Sequence, residues 1–420
     1  MIREIQIENF KSIKKMKLEL GRVNVFIGEN GSGKSNILEA IALAGAAAGD
    51  RLDNEFLFSR GVRPSEPRHM RCALNSEAPS SDIVVSLSSQ DKTRVNFVLT
   101  HDGRPYSSWK CKSSGEASVI LKTSRMLAIL EMMLAERETN APIDSNLAPL
   151  SKLIETDRLA SAIAELRELE RTTEEDDDTE LVLKTDKFSS LKSDKSKGVK
   201  DLMEFVIFSP ENQSLRTFER EGQIEPLGIR GEGLLKFLQV LDSTPSYEDA
   251  FLSIRKRLKI LGWFDDLFVP ASERNSTSKI EIKDRYLSES AGRLDQFSAN
   301  EGFLFLLFYF CLFSTDLTPR FFAVDNVDAS LNPKLCAHLV TELASLAGAN
   351  DKQAILTTHN PATLDGLDLN DDEQRLFVIS RGDEGETKIR RIKQKEGSAS
   401  DVKLSTAFIN GYLGGLPKNF

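Results

Sequence analysis

The sequence predicts an α/β protein: a mixed, largely parallel sheet with helices on its faces and a helical arm inserted into it. Three observations carry this. Short apolar runs bounded by turn residues alternate with longer segments of helical spacing, as in strands joined by crossover helices. One run, Arg22–Ile27, passes into the glycine-rich stretch GENGSGKS, which opens an Ala- and Leu-rich helix. Another, Phe321–Asp325, is an apolar strand ending in a carboxylate. A chain of 420 residues suffices for one large domain or two lobes with a sizeable core.

Taken in order, Ile2–Glu8 alternates apolar and polar residues as a half-buried strand does, and Met16–Leu20 and Arg22–Ile27 read as two more strands. Ser35–Ala48 reads as a helix, and Asp82–Ser88 with Thr93–Thr100 as a hairpin. The character changes after Trp109. Thr123–Glu138 and Leu147–Arg171 have helical spacing, and the acidic run TTEEDDDTE and the Lys/Ser-rich Lys184–Lys200 that follow read as solvated loop. Strands are again expected at Met203–Phe208, Lys279–Lys283, Phe321–Asp325, Gln353–Thr357 and Arg375–Ser380. Helices are expected at Leu234–Leu241, Ala250–Leu261, Phe303–Phe313 and Pro333–Leu346. The division this gives is an N-terminal lobe at 1–110, an inserted helical arm at 111–200, the remainder of the domain at 201–393, and a tail at 394–420.

Composition excludes several classes. Forty per cent hydrophobic and 28% charged residues are ordinary for a globular protein. With 55 basic and 64 acidic residues the net charge is −9, which argues against unspecific coating of nucleic acid. Two basic clusters remain, Arg255–Lys259 (RKRLK) and Lys388–Lys395 (KIRRIKQK); they offer a DNA contact, and the simpler reading is a solvated helix face and an edge strand. Cys72, Cys111, Cys311 and Cys336 lie far apart and read as free thiols. The N-terminus has no apolar signal-peptide core, and the longest apolar run, Phe303–Phe313, is 11 residues, too short to span a bilayer. A soluble cytoplasmic protein with no membrane contact is expected.

The chemistry concentrates in four stretches. Gly28–Ser35 fits the spacing GxxxxGK[ST] in its required context, after a strand and before a helix. Glycines at Gly28, Gly31 and Gly33 let the loop through Glu29, Asn30 and Ser32 turn its N–H groups toward phosphates. Lys34 reaches the terminal phosphates, the Ser35 hydroxyl suits Mg²⁺, and Asn36 lies in the helix's first turn. Asp325 places a carboxylate where Mg²⁺ sits. Ser298–Glu301 (SANE) reads as a capping box with Ser298 at the N-cap, and the same hydroxyl at a helix N-terminus can face an anion. In Thr357–Asp365 (TTHNPATLD), His359 lies just past a strand end, at the sheet edge where ligands bind.

The order of these motifs resembles the ABC-type ATPases of the SMC and RecF kind, over roughly residues 1–110 and 200–390. The resemblance implies a P-loop NTPase with an ABC-ATPase-like head that binds ATP and Mg²⁺ between two subunits facing head to tail. It implies that Ser298 stands in the signature position, that Asp325 and Ser35 serve Mg²⁺, that Asp328 is the D-loop residue, and that His359 is the switch contacting the γ-phosphate. Ile7–Lys15 (IENFKSIKK) resembles the family's opening strand-turn near the nucleotide base, which brings in Lys11 and Ser12. Phe208–Arg216 (FSPENQSLR) resembles the segment that takes the place of the Q-loop, with Glu211, Asn212 and Gln213 as alternatives for touching Mg²⁺ or water. Two departures stand out: SANEG replaces LSGGE or LSGGQ, and Asn326 replaces the catalytic glutamate. Slow hydrolysis is expected, with Asn326, Asp328, His359 and Glu211 as the residues around the water. The closer likeness is to small RecF-like "AAA family" ATPases of bacterial anti-phage systems (PARIS, Septu and overcoming-lysogenisation proteins). That implies a self-assembling regulator of a separately encoded nuclease or toxin. A RecF-like DNA-repair ATPase is the alternative, and a nucleotide-binding protein that never turns over is a third.

Overall fold

The structure is a computed structural model that describes residues 1–63, 65–74, 82–104, 107–115, 194–217, 225–270, 279–393 and 403–415. Two sheets organise it. The first is antiparallel, in the order β2-β1-β4-β5-β6, from β1 (Ile2–Phe10), β2 (Ile13–Glu19), β4 (Ile83–Ser89), β5 (Arg94–Thr100) and β6 (Lys110–Ser114). Its strands alternate buried and exposed residues because only one face is covered. The second has the order β13-β12-β3-β11-β10-β7, from β3 (Val23–Ile27), β7 (Ile207–Phe208), β10 (Phe321–Val324), β11 (Gln353–Thr358), β12 (Gln374–Arg381) and β13 (Thr387–Ile392). It is parallel except for β13, which runs antiparallel to β12 along the edge. Residues of β3, β10 and β11 are buried throughout, as strands covered on both faces must be. A separate ribbon joins β8 (Phe264–Phe268) to β9 (Glu281–Asp284).

Helix α1 (Lys34–Ala48) lies between the two sheets. It is apolar on nearly all sides, with Ile37, Leu38, Ile41 and Leu43 packed among Ile5, Ile7, Val85, Phe97, Phe26 and Ile355. Short helices α2 (Asn54–Ser59) and α3 (Pro67–Met70) follow it. The opposite face of the second sheet carries α5 (Leu234–Ser243), α6 (Glu248–Leu258), α7 (Glu301–Ser314) and α8 (Pro333–Ala349). Every residue of α7 from Phe303 to Phe313 is buried, the environment its unbroken apolar run demands.

The structure revises several expectations. Strand β6 crosses the expected boundary at 110, and α4 (Asp194–Met203) crosses the one at 200. The Lys/Ser-rich stretch is therefore helical from Asp194, and Val199 and Leu202 are buried against the antiparallel sheet and α1. Met203 ends that helix, so the strand expected at Met203–Phe208 shrinks to Ile207–Phe208. Within the expected tail, α9 (Leu404–Ile409) docks Phe408 into the core beside Val378. The helices expected at Thr123–Glu138 and Leu147–Arg171, and the acidic run after them, lie outside the described residues.

One buried side chain joins the two sheets. Gln353, 2% exposed at the start of β11, donates from Nε2 to Ile2 O (2.7 Å) and Gly21 O (2.9 Å) and accepts at Oε1 from Ile2 N (2.9 Å). Gln353→Leu keeps the volume and removes the side-chain partner of Ile2 N–H and Ile2 O, while Gly21 O keeps Asn24 Nδ2 at 2.9 Å. It is expected to lower stability by about 3 kcal/mol, since each unmet group costs about 1–3, as read from the midpoint of urea unfolding.

Candidate functional site

The site forms where β3 ends. Strand register brings its parts together: Ile27 pairs with Thr358 of β11 on one side and with Val378 of β12 on the other, while Val324 of β10 pairs with Leu356. The residues just past these strand ends, Gly28, Asp325 and His359, therefore share one edge of the sheet.

The glycines of the loop are required by close approach and by backbone angle. A Cβ on Gly28 would lie 2.0 Å from Ile379 O, and Gly31 and Gly33 have φ of 74° and 108°. Lys34 folds back, and its Nζ donates to Gly28 O (2.9 Å) and Glu29 O (3.0 Å). Burial pushes its ammonium down to about 8, against the opposing pull of Asp325, Asp328 and Glu29. Ser35 Oγ donates to Asp325 Oδ2 at 3.3 Å. Asp325 is fixed from behind: its N–H donates to Phe208 O (2.8 Å), and Thr357 Oγ1 donates to its Oδ1. The same Thr357 hydroxyl accepts from the Asn326 N–H at 2.9 Å. Asn326 itself is exposed, with a left-handed φ of 57° that asparagine tolerates better than most residues. Asp328 accepts from the His359 N–H through Oδ1 at 3.4 Å. The His359 ring is held below its ordinary value by desolvation and by the Lys34 ammonium, which outweigh Asp328, Asp325 and a hydrogen bond to the Gly28 backbone.

Other expected residues go elsewhere. Ser298 is not the N-cap of α7. Asn300 caps it, accepting from Phe303 N at 2.8 Å, because the chain enters the helix two residues later than the capping-box reading requires. Ser298 is exposed; its N–H donates to Asp295 Oδ1 (2.8 Å), and its hydroxyl bonds the same carboxylate and holds it low. Lys11 pairs with the buried Glu39, which also takes Arg63 (2.6 Å), so its ammonium faces α1. Ser12 accepts from Asn36 Nδ2 at 2.7 Å and shares a hydrogen with Thr387 Oγ1 at 2.6 Å. Glu211 pairs with Arg230 at 3.4 Å, Asn212 holds Arg216 at 2.9 Å, and Gln213 is exposed. Arg216 in turn donates to the carbonyls of Gln296, Phe297 and Ala299, tying this turn to the segment that carries Ser298.

Sequence reading missed Thr357, Thr387 and Arg381. Thr357 carried a signal, a hydroxyl on the last residues of a fully buried strand. Thr387 and Arg381 carried none, since their partners Ser32 and Gly31 are 355 and 350 residues away. The basic clusters are partly paired within the chain. Arg255 takes Asp266 (2.7 Å), Arg257 takes Glu342, Lys388 takes Glu386 (3.0 Å) and Arg391 takes Asp372. Thr387–Ile392 forms the edge strand expected of the second cluster; Gln394 and Lys395 lie outside the described residues.

The residues present fit a magnesium nucleotide. Ser32 Oγ is buried in the loop without a hydrogen-bond partner, a donor aimed at no protein group. Ser35 and Asp325 bring a hydroxyl and a carboxylate oxygen together, the hard oxygen pair that Mg²⁺ takes from a protein alongside phosphate oxygens.

The fold and this loop define a P-loop nucleotide-binding domain with the ABC-type architecture of SMC heads. The chain belongs to the AAA-domain family described as "AAA domain, putative AbiEii toxin, Type IV TA system", which matches residues 23–365. It is 52% identical over 44 residues to Uncharacterized protein MJECL10 of Methanocaldococcus jannaschii, a match that covers 10% of this chain and 20% of that protein. It is 42% identical over 55 residues to the DNA replication and repair protein RecF of Bacillus thuringiensis, covering 13% of this chain and 15% of that protein. The chain thus spans a fifth or less of these relatives. A crystal structure of an SMC head bound to the C-terminal winged-helix domain of ScpA superposes with a TM-score of 0.52 at 14% identity, over 94% of this chain and 99% of that one; the likeness is one of fold. Among the described residues, no helix is long and apolar enough to cross a membrane.

The retracted Lys34 is expected to make nucleotide binding sensitive to pH. An ammonium depressed to about 8 is neutral in the free protein above that pH and must regain a proton to face phosphates. Affinity for MgATP is therefore expected to fall about tenfold per unit above pH 8, with uptake of close to one proton at about pH 9 and little at about pH 6.5. Calorimetry in buffers of different ionisation enthalpy measures this, and Lys34→Ala is expected to abolish binding.

Proposed function

We propose that this protein binds MgATP, hydrolyses it slowly, and closes head to tail with a second copy around the nucleotide, as a switch that controls a separately encoded effector. The observation that carries this reading is the junction of Ser35, Asp325 and Thr357 beneath the phosphate loop, with Asn326 at the next position. Bound Mg²⁺ would neutralise charge developing on the transferred phosphoryl group. Ser35 and Asp325 would hold it; Thr357 fixes the carboxylate and, through the Asn326 N–H, the start of the following turn. An asparagine side chain can orient a water and cannot accept its proton, so the chemistry relies on positioning and charge. His359, its ring held below its ordinary value by burial and then by the lysine, is suited to accept or donate a hydrogen bond at the terminal phosphate.

Exposure of Ser298 on the face that carries the N-terminus of α7 supports a role in completing the second copy's site. A protein partner is supported by the family's toxin–antitoxin description and by the SMC head seen with the ScpA domain. A DNA-repair reading rests on the RecF segment, and the internal pairing of Arg255, Arg257, Lys388 and Arg391 weakens it.

Asn326→Glu supplies a base at the position after Asp325. Turnover is expected to rise about 100-fold, the lower end of the roughly 10²- to 10⁴-fold that a positioned base contributes, and the lifetime of the ATP-bound assembly to shorten. The variant is also expected to melt slightly earlier, since a left-handed glutamate costs about 1 kcal/mol. A parent turnover of many per second, or no gain on adding the glutamate, contradicts the switch.

Ser298→Arg leaves the phosphate loop intact and crowds the facing surface. ATP-driven growth in light scattering is expected to disappear while MgATP affinity stays within about threefold of the parent; a monomer with full ATPase activity overturns the head-to-tail site.

A further inference from the structure

The β12–β13 hairpin grips the phosphate loop from outside. Arg381 Nε, at the end of β12, donates to Gly31 O at 2.8 Å. Thr387 Oγ1, 4% exposed at the start of β13, donates to Ser32 O at 3.1 Å. The fit is tight, for a Cβ on Gly33 would lie 2.1 Å from the Thr387 hydroxyl. A threonine hydroxyl has one hydrogen. With that hydrogen on Ser32 O, the 2.6 Å contact between Ser12 and Thr387 must run from Ser12 Oγ to Thr387 Oγ1. Asn36 Nδ2, which can only donate, supplies Ser12. The result is a one-way chain from Asn36 on α1 through Ser12 and Thr387 to the Ser32 carbonyl. The Thr387 N–H also donates to Ser12 O at 2.7 Å, which fastens β13 to the β1–β2 turn.

This bears on phosphate recognition because a peptide unit is planar and trans, so the direction of its C=O sets the direction of its N–H. Holding Ser32 C=O toward the hairpin points the Gly33 N–H the opposite way; the Ser32 N–H, opposite the held Gly31 C=O, turns inward across the loop and donates to Glu29 O at 3.3 Å. We propose that Thr387, fed by Asn36 and Ser12 and assisted by Arg381, is a positioning residue that presets the loop's N–H groups for the phosphates of a nucleoside di- or triphosphate. Ser12 thereby acts on the loop and not on the base, although the strand-turn resemblance implied the latter. Catalysis is untouched by the hairpin itself, so the effect falls on binding.

The proposal rests on the loop binding nucleotide, and that is tested first, with the parent protein, MgATP and MgADP. If the parent binds neither, both readings fall. If it binds, Thr387→Val, which keeps the shape and removes the hydroxyl, is expected to raise Kd for MgATP and MgADP alike by about 5- to 30-fold, the worth of one or two hydrogen bonds. Single-turnover hydrolysis at saturating MgATP should change less than about threefold. Thr387→Ser should restore affinity, and Thr387→Val in a Ser12→Ala background should add little further loss, as members of one chain do. Arg381→Gln, at a part-exposed side chain, provides a second variant if Thr387→Val folds poorly, with a smaller loss of the same kind. Parent-like affinity in a folded Thr387→Val or Arg381→Gln protein overturns the proposal. So does a loss that follows melting temperature and is not rescued by serine.

Discussion

The register of β3 between β11 and β12 is the constraint on which the site depends. Parallel strands present their carboxyl ends on one edge, so pairing Ile27 with Thr358 and Val378 brings the phosphate loop, His359 and the β12 end together. A slip of one residue would turn Val23, Val25 and Ile27 from the helical layer toward α1 and put Phe26 where they had been. The cores on the two faces of the sheet thus enforce the alignment of the site. Buried α1 adds to this, because its N-terminus aims at the phosphates only while its whole length is packed between the sheets.

Around that edge, most side chains serve to aim backbone or carboxylate groups. Thr357 holds Asp325, and Thr387 and Arg381 hold loop carbonyls. Lys34 has its ammonium satisfied by Gly28 O and Glu29 O.

Arg216 makes the turn after β7 and the segment before α7 one unit. The turn begins at Phe208, whose carbonyl also takes the Asp325 N–H. Asp325 is therefore linked, by a hydrogen bond to Phe208, the chain to Arg216 and the bonds Arg216 makes, to the segment that carries the exposed Ser298.

The phosphate loop was legible because its chemistry lies within eight consecutive residues, and the strands and helices around it because a run such as FLFLLFYFCLF can satisfy its side chains only in a core. Asn326 was legible as an amide directly after Asp325; that its φ of 57° also favours asparagine was not, because a residue name does not carry a backbone angle. SANE gave a capping signal but the wrong cap, since Ser298 and Asn300 both suit an N-cap and only the path of the chain chooses between them. The RKRLK cluster announced positive charge, yet Glu342, 85 residues from Arg257, takes up part of it. What the sequence determined by itself was the local pattern: which glycine loop joins a strand to a helix, which carboxylate ends the strand beside it, which helix is buried. What only the tertiary structure decided was which polar groups are engaged by distant partners, as Thr387 is by Ser12 and Ser32, because such pairings are set by how the sheets stack and leave no periodicity in the chain.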